Sequence, residues 1–430
     1  MNKITFCIAS AKNEKEYTKL LLKSLKKNTQ FDLHEVLIFI DSDNQNTFED
    51  LVGLQTSTPN LKLCKNTSDF PIGSQRNVSI MFDAASNDVV CYLQSDMVVG
   101  KDFDKHILNS IKENIVLSCA RIEPPLHPSS PDKITKDFGI TPETFNFDEF
   151  DKFVDILQTE NRPNIETYFA PFAIHKKTWF NTLGGFDTQF RCSREDSDIA
   201  LRMNLSGLKT IQNWNACVYH FTCVSSRGQD WFKSTTESKY KNELQSLADQ
   251  QELKRFIRKW GFFGHYPNPT YDITFNIELD QYVDFNLLKA IEPYCSRMFL
   301  SDENVVNQLV NQLEFEAHYY SNLRWNYTNK HWEKVKYLFN PTDFNTRIRF
   351  ADNNVFGDTI INIKYSDIIN NWSEIQNLIE NIHHIVNNTD LGTYNSGFCI
   401  ININQKNNIN NSLIKHKDIT LLLDKVFNFI

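Results

Sequence analysis

The chain is 430 residues long, with 53 acidic against 45 basic side chains and a formal net charge of −8. At about 100–200 residues per domain that length predicts two or three domains, and 41% hydrophobic residues, with 33 Phe, exclude a disordered chain. The acidic balance argues against a broad nucleic-acid-binding face, which needs clustered Lys and Arg.

The nine Cys are an odd number without a C-x-x-C pair and read as buried, reduced thiols. The N-terminus shows no basic and apolar leader, and no run approaches the roughly 18 consecutive apolar residues of a membrane span. A soluble, cytoplasmic protein is expected.

In chain order, ITFCIAS reads as a strand, KEYTKLLLKSLKKN as an amphipathic helix and HEVLIFIDSD as a second strand. A helix-like segment near 48–54 follows, then LKLCKN as a strand, QRNVSIMFDAAS as a helix and DVVCYLQSD as another strand. Continuous apolar strands alternating with helices predict an α/β domain, its mostly parallel sheet covered on both faces. Ligands in such sheets bind beyond the carboxyl ends of the strands. There the chain places Ala9-Ser10-Ala11, Asp41-Ser42-Asp43 and Ser95-Asp96. Gly261, Gly264, Pro267 and Pro269 punctuate the sequence and predict a boundary between domains 1–265 and 266–430.

Several motifs then follow in order. Pro71-Ile72-Gly73-Ser74-Gln75-Arg76-Asn77 precedes Leu93-Gln94-Ser95-Asp96. Asn13-Glu14 follows the first strand, and Leu183-Gly184-Gly185-Phe186-Asp187, Glu195-Asp196-Ser197-Asp198 and Val218-Tyr219-His220 come later. Together they resemble family-2 glycosyltransferases of the GT-A fold, over roughly residues 3–262. The resemblance implies metal-assisted, inverting transfer from a nucleotide sugar, UDP-type favoured, to a hydroxyl of a glycan, protein or other acceptor. Asp96 and His220 would hold a divalent cation; an imidazole beside oxygen suits Mn²⁺ better than Mg²⁺. Asp196, beside Glu195, would be the general base. Ala9, Ser10, Asp41, Arg76, Gln94, Ser95, Gly185 and Arg227 would surround the donor.

The sequence departs from the family pattern where Gln94 replaces the first Asp of an Asp-x-Asp signature, and at Ser42-Asp43-Asn44 where Asp-Gly-Ser is usual. Ser193 and Asp196 also fit a capping box at the start of a helix. Two competing readings are a nucleotidyltransferase, poorly supported by Ala9-Ser10-Ala11-Lys12, and a non-catalytic sugar-binding scaffold. Transfer onto modified DNA bases is a third, which the overall charge disfavours. The C-terminal region is Asn-rich, with strand-like YDITFNIELD and DTIINIKY and a long helical candidate, NVVNQLVNQLEFEAHYYSNLRW. It reads as a smaller mixed α/β accessory unit, and Arg324-Trp325 as part of a helix.

Overall fold

The computed structural model describes residues 3–430 apart from 12, 42, 44, 68–71, 169, 191–193, 223–249, 265–267, 327–330, 335–341, 353 and 416–426. The chain forms two compact units, Met1–Lys239 with Lys415–Ile430, and Tyr240–Ile414.

The first unit opens with β1 (Ile4–Ser10), α1 (Lys15–Asn28), β2 (Glu35–Ile40), α2 (Thr47–Gln55), β3 (Leu61–Lys65), α3 (Ser74–Ala84) and β4 (Val89–Gln94). It continues with β5 (Met97–Val99), α4 (Phe103–Ser110), β6 (Ile115–Glu123), β7 (Lys133–Thr135), α5 (Phe147–Thr159), β8 (Ile165–Glu166) and β9 (Phe172–His175). It then runs through α6 (Lys176–Thr178), extended by one π turn at Trp179–Leu183, α7 (Glu195–Leu205) and β10 (Lys209–His220). The sheet order is β3-β2-β1-β4-β9-β6-β10-β5, with β7 beside β6 and β8 beside β10. From β3 to β4 every pairing is parallel, as is β6 with β10. The exceptions along that path are β9, antiparallel between β4 and β6, and β5, antiparallel on β10.

Every residue of β2 is buried because both faces of the sheet are covered. Ile4, Phe6 and Ile8 of β1 pack with Leu21 and Leu25 of α1 and with Phe103 and Ile107 of α4. Cys7, between them, points the other way, into the layer of Val78, Met81 and Phe82 of α3 with Ile199 and Met203 of α7. The expected mostly parallel, helix-flanked sheet is thus present.

The chain's last residues return to this unit. Leu63 N–H donates to Ile430 O, and Ile430 N–H to Leu63 O, both at 2.9 Å, so the tail pairs with edge strand β3. Phe427 and Phe429 pack on the α3 side of the sheet.

The second unit is a sheet ordered β15-β12-β11-β16-β18-β17, built from β11 (Ile273–Glu278), β12 (Arg297–Leu300), β15 (Ile348–Phe350), β16 (Thr359–Lys364), β17 (Gly392–Asn395) and β18 (Ile400–Ile403). The first four are mutually parallel and the last two form an antiparallel edge. Of the expected elements, β11 and β16 are strands and the long helix spans Glu303–Asn322. Arg324 and Trp325 are not helical. They lie in strand β13 (Leu323–Asn326), paired antiparallel with β14 (His331–Lys334), in a register that sets Trp325 against Trp332.

The described Cys of both units, Cys7, Cys64, Cys91, Cys119, Cys217, Cys295 and Cys399, are all buried and free. Among the described residues no helix is long and apolar enough to cross a membrane.

Candidate functional site

Four strand ends bring the sequence's candidates together. β1, β2 and β4 are parallel neighbours, so Ser10, Asp41 and the Ser95-Asp96 turn emerge on one side of the sheet. His220 closes β10, in register with Met97 of β5, and its chain neighbour Phe221 donates N–H to Asp96 O at 3.0 Å. The pairing of β5 with β10 therefore joins two residues that are 124 positions apart (220 − 96). His220 Nε2 stands 3.6 Å from Asp96 Oδ2.

Asp96 is buried, which raises its carboxyl pKa above the ordinary range; His220 opposes that rise and the Glu123 charge adds to it. His220 Nδ1 lies 2.9 Å from Glu123 Oε1. Glu123 ends β6, and it also accepts from Arg121 Nη1 at 3.1 Å and Lys133 Nζ at 2.8 Å. Burial alone would raise the Glu123 pKa, but these donors with His220 outweigh it and take it down to about 2. Glu123, Arg121 and Lys133 are absent from the sequence expectations. The available signal was Arg121 and Glu123, two apart and hence on the same face of the strand as Ile115, Leu117 and Cys119.

The pair fits a divalent cation in donor type, a carboxylate oxygen beside an imidazole nitrogen. Gln94, two residues before Asp96, has a buried Oε1 with no hydrogen-bond partner among the described residues. Among those residues no group of three or more His, Cys, Asp or Glu side chains gathers as a metal site.

The first loop is held by Glu14. Its Oε2 accepts from Ala11 N–H at 2.6 Å and from Ser95 Oγ–H at 2.5 Å, tying the ends of β1 and β4 together. Ala9 pairs on both sides, with Phe39 and Gln94, so its backbone belongs to the sheet. Ser10 Oγ shares a hydrogen bond with Thr18 Oγ1 at 2.8 Å.

Asp41 is also a loop holder. Its carboxylate accepts from Ile72 N–H at 2.8 Å, Gly73 N–H at 2.9 Å and Asn66 Nδ2 at 2.8 Å, with Asn77 as a further donor. Burial still outweighs these donors, and its pKa is raised. The contacts fix the glycine turn that opens α3, whose first turn carries the buried Arg76.

The second acidic cluster divides by burial. Asp198 is fully buried and accepts from Arg202 Nε at 2.8 Å, while Arg202 Nη1 donates to Leu183 O at 2.8 Å and Gly185 O at 2.7 Å. Asp198 and Arg202 thereby pin the Gly184-Gly185 turn, whose φ values of 67° and 81° suit glycine. Asp196 is exposed in the first turn of α7 and accepts from Ser197 N–H at 2.8 Å. Ser193, the N-cap of the expected capping box, lies outside the described residues. α7 starts at Glu195 with Arg194 at the cap position, φ 69°, and no side chain capping it; three acids in the first turn answer the helix dipole instead.

Tyr92 connects the two clusters. Burial raises its phenol pKa, and the charges of Glu195, Asp96 and Glu14 raise it further, as carboxylates of one neighbourhood do. Arg227 and Ser193 lie outside the described residues.

No curated protein matches the chain in sequence. Among solved structures, S. aureus TarS is 14% identical, with 60% of this chain and 43% of that one covered and a TM-score of 0.38. GalNAc-T7 with UDP, GalNAc and Mn²⁺ is 14% identical, covering 60% and 50%, TM-score 0.39. Mannosyltransferase PcManGT from Pyrobaculum calidifontis in complex with GDP-Man and Mn²⁺ is 15% identical, covering 59% and 64%, TM-score 0.39. The chain thus spans less than two thirds of the length of these three proteins. The decisive likeness is to the family described as glycosyl transferase family 2, which matches β1 through α6 and ends before α7 and β10. Residues 7–181 of this chain match the family described as glycosyl transferase family 2.

Proposed function

We propose that the chain transfers a sugar, with inversion, from a UDP-type nucleotide sugar to a hydroxyl acceptor, assisted by Mn²⁺ or, less favourably, Mg²⁺. The observation that carries this reading is the 3.6 Å approach of His220 to Asp96 at the end of a family-2 domain's strands. A cation held there supplies positive charge against the diphosphate as it leaves. Asp196 takes the proton from the acceptor hydroxyl as its oxygen bonds to the anomeric carbon and the bond to the diphosphate breaks. Exposure and a helix-terminal mount suit Asp196 to that role, with Glu195 beside it. Arg76 and the 72–73 turn seat the nucleotide, held in place by Asp41, with Ser10, Ser95 and Gln94 at the neighbouring strand ends and Gly185 towards the sugar. Arg227 is proposed at the diphosphate on sequence order alone.

A melting screen with UDP- and GDP-sugars, with and without Mn²⁺, tests the reading. A UDP-sugar at a hundredfold excess over its Kd stabilises by roughly 2.7 kcal/mol, and Mn²⁺ should enlarge the shift and promote release of UDP. No shift with any nucleotide sugar refutes it. A second reading, a non-catalytic sugar-binding protein, is favoured by Gln94 alone, a neutral side chain where the resemblance implies an acid. Its signature is binding without release of nucleoside diphosphate.

A further inference from the structure

We infer that Glu123 is a positioning residue that fixes the tautomer and direction of the His220 ring. The inference rests on the proposed metal site and goes one shell outward from it. Glu123 is 3% exposed at the end of β6, and Tyr219 pairs with Ile122, so His220 and Glu123 follow side by side on parallel strands. Lys133 Nζ donates to Glu123 Oε2, and Arg121 Nη1 to Oε1. Lys and Arg can only donate, so both oxygens are held as acceptors. The ring nitrogen 2.9 Å from Oε1 must then be the donor, and the ring proton sits on Nδ1.

In the neutral ring, the form that a metal ligand takes, that leaves the lone pair on Nε2, the nitrogen facing Asp96. The 3.6 Å separation is too long for a hydrogen bond between them, so Asp96 does not hold the Nε2 position occupied. Glu123 is unsuited to be a ligand itself, because its oxygens are taken by Arg121, Lys133 and His220. Its part is to present His220 as a neutral nitrogen ligand in one orientation. In Glu123→Gln one oxygen becomes an NH₂ that cannot accept, leaving a single oxygen for Lys133, Arg121 and the ring, so the ring proton loses its fixed place on Nδ1.

Two measurements test this. Nitrogen-15 NMR of the histidine rings in the metal-free, full-length protein should find wild-type His220 protonated on Nδ1, and E123Q with the Nε2 tautomer populated beside it. Mn²⁺ affinity in the presence of UDP, read from the free-Mn²⁺ EPR signal, should weaken about 10–100-fold in E123Q. A wild-type ring protonated on Nε2 overturns the inference without any variant. So does wild-type Mn²⁺ affinity in E123Q when H220A has lost it. If H220A itself keeps wild-type affinity, the metal reading fails instead, whatever tautomer the ring shows.

Discussion

Asp198 is fully buried against Arg202, whereas Asp196, in the same helical turn, is exposed. Burial and partners separate the two carboxylates. Asp198→Ala leaves the Arg202 guanidinium buried without its carboxylate and should cost about 3–5 kcal/mol, read as a lower urea midpoint. Asp196→Ala should leave the midpoint within about 0.5 kcal/mol, as exposed sites do, and retain nucleotide-sugar binding. Transfer should fall roughly 10²–10⁴-fold, the usual contribution of a general base; turnover near wild type would remove Asp196 from that role. The i,i+4 spacing of Asp198 and Arg202 was legible in the sequence. That Arg202 also reaches back to Leu183 and Gly185 was not, because that contact depends on how α7 meets the preceding turn.

At the scale of elements, the second unit shows how one buried imidazole couples a helix to a turn. His383 lies on the helix Trp372–Asn388, and its Nδ1 accepts from Tyr271 N–H at 3.0 Å. Its Nε2 has no hydrogen-bond partner among the described residues, and burial lowers its pKa to about 4. A depressed histidine pKa means the unfolded chain binds the proton first. The stability is therefore present above about pH 6.5 and is lost as pH falls towards 4. His383→Gln keeps an acceptor for Tyr271 and should flatten that part of the stability–pH curve; an unchanged slope would assign it to other groups. Gly261 has φ 75°, and a Cβ there would lie 2.0 Å from His383 Nε2. Gly261→Ala should therefore cost more than the roughly 1–2 kcal/mol of a left-handed alanine, seen as a fall in melting temperature.

At the scale of the whole molecule, the last residues complete a sheet begun more than 300 positions earlier. The tail covers the outer edge of β3, where unpaired N–H and C=O groups would otherwise face solvent. Gln55 Nε2 adds a third bond, to Ile430 O at 2.7 Å, and Phe427 packs edge-on to Phe39 with ring centroids 5.2 Å apart. Deleting residues 427–430 should destabilise the first unit by about 1–3 kcal/mol, or several degrees in melting temperature at this domain size. An unchanged transition would show that the tail contributes nothing to the folded state.

The sequence by itself determined the element types from β1 to β4, the mostly parallel sheet and the order of motifs, though not the strand at Arg324-Trp325. Those follow from local periodicity and from apolar strands that need cover on both faces. It placed Asp41, Asp96, Asp196 and His220 at element ends, because each follows or opens a readable apolar run. Only the tertiary structure decided what those ends meet. Asp41 holds the loop at Ile72 and Gly73, Glu14 joins β1 to β4, Glu123 braces His220, and Ile430 closes β3. Each is a contact across a long stretch of chain between polar groups, and a spacing rule for one helix or strand carries no information about it.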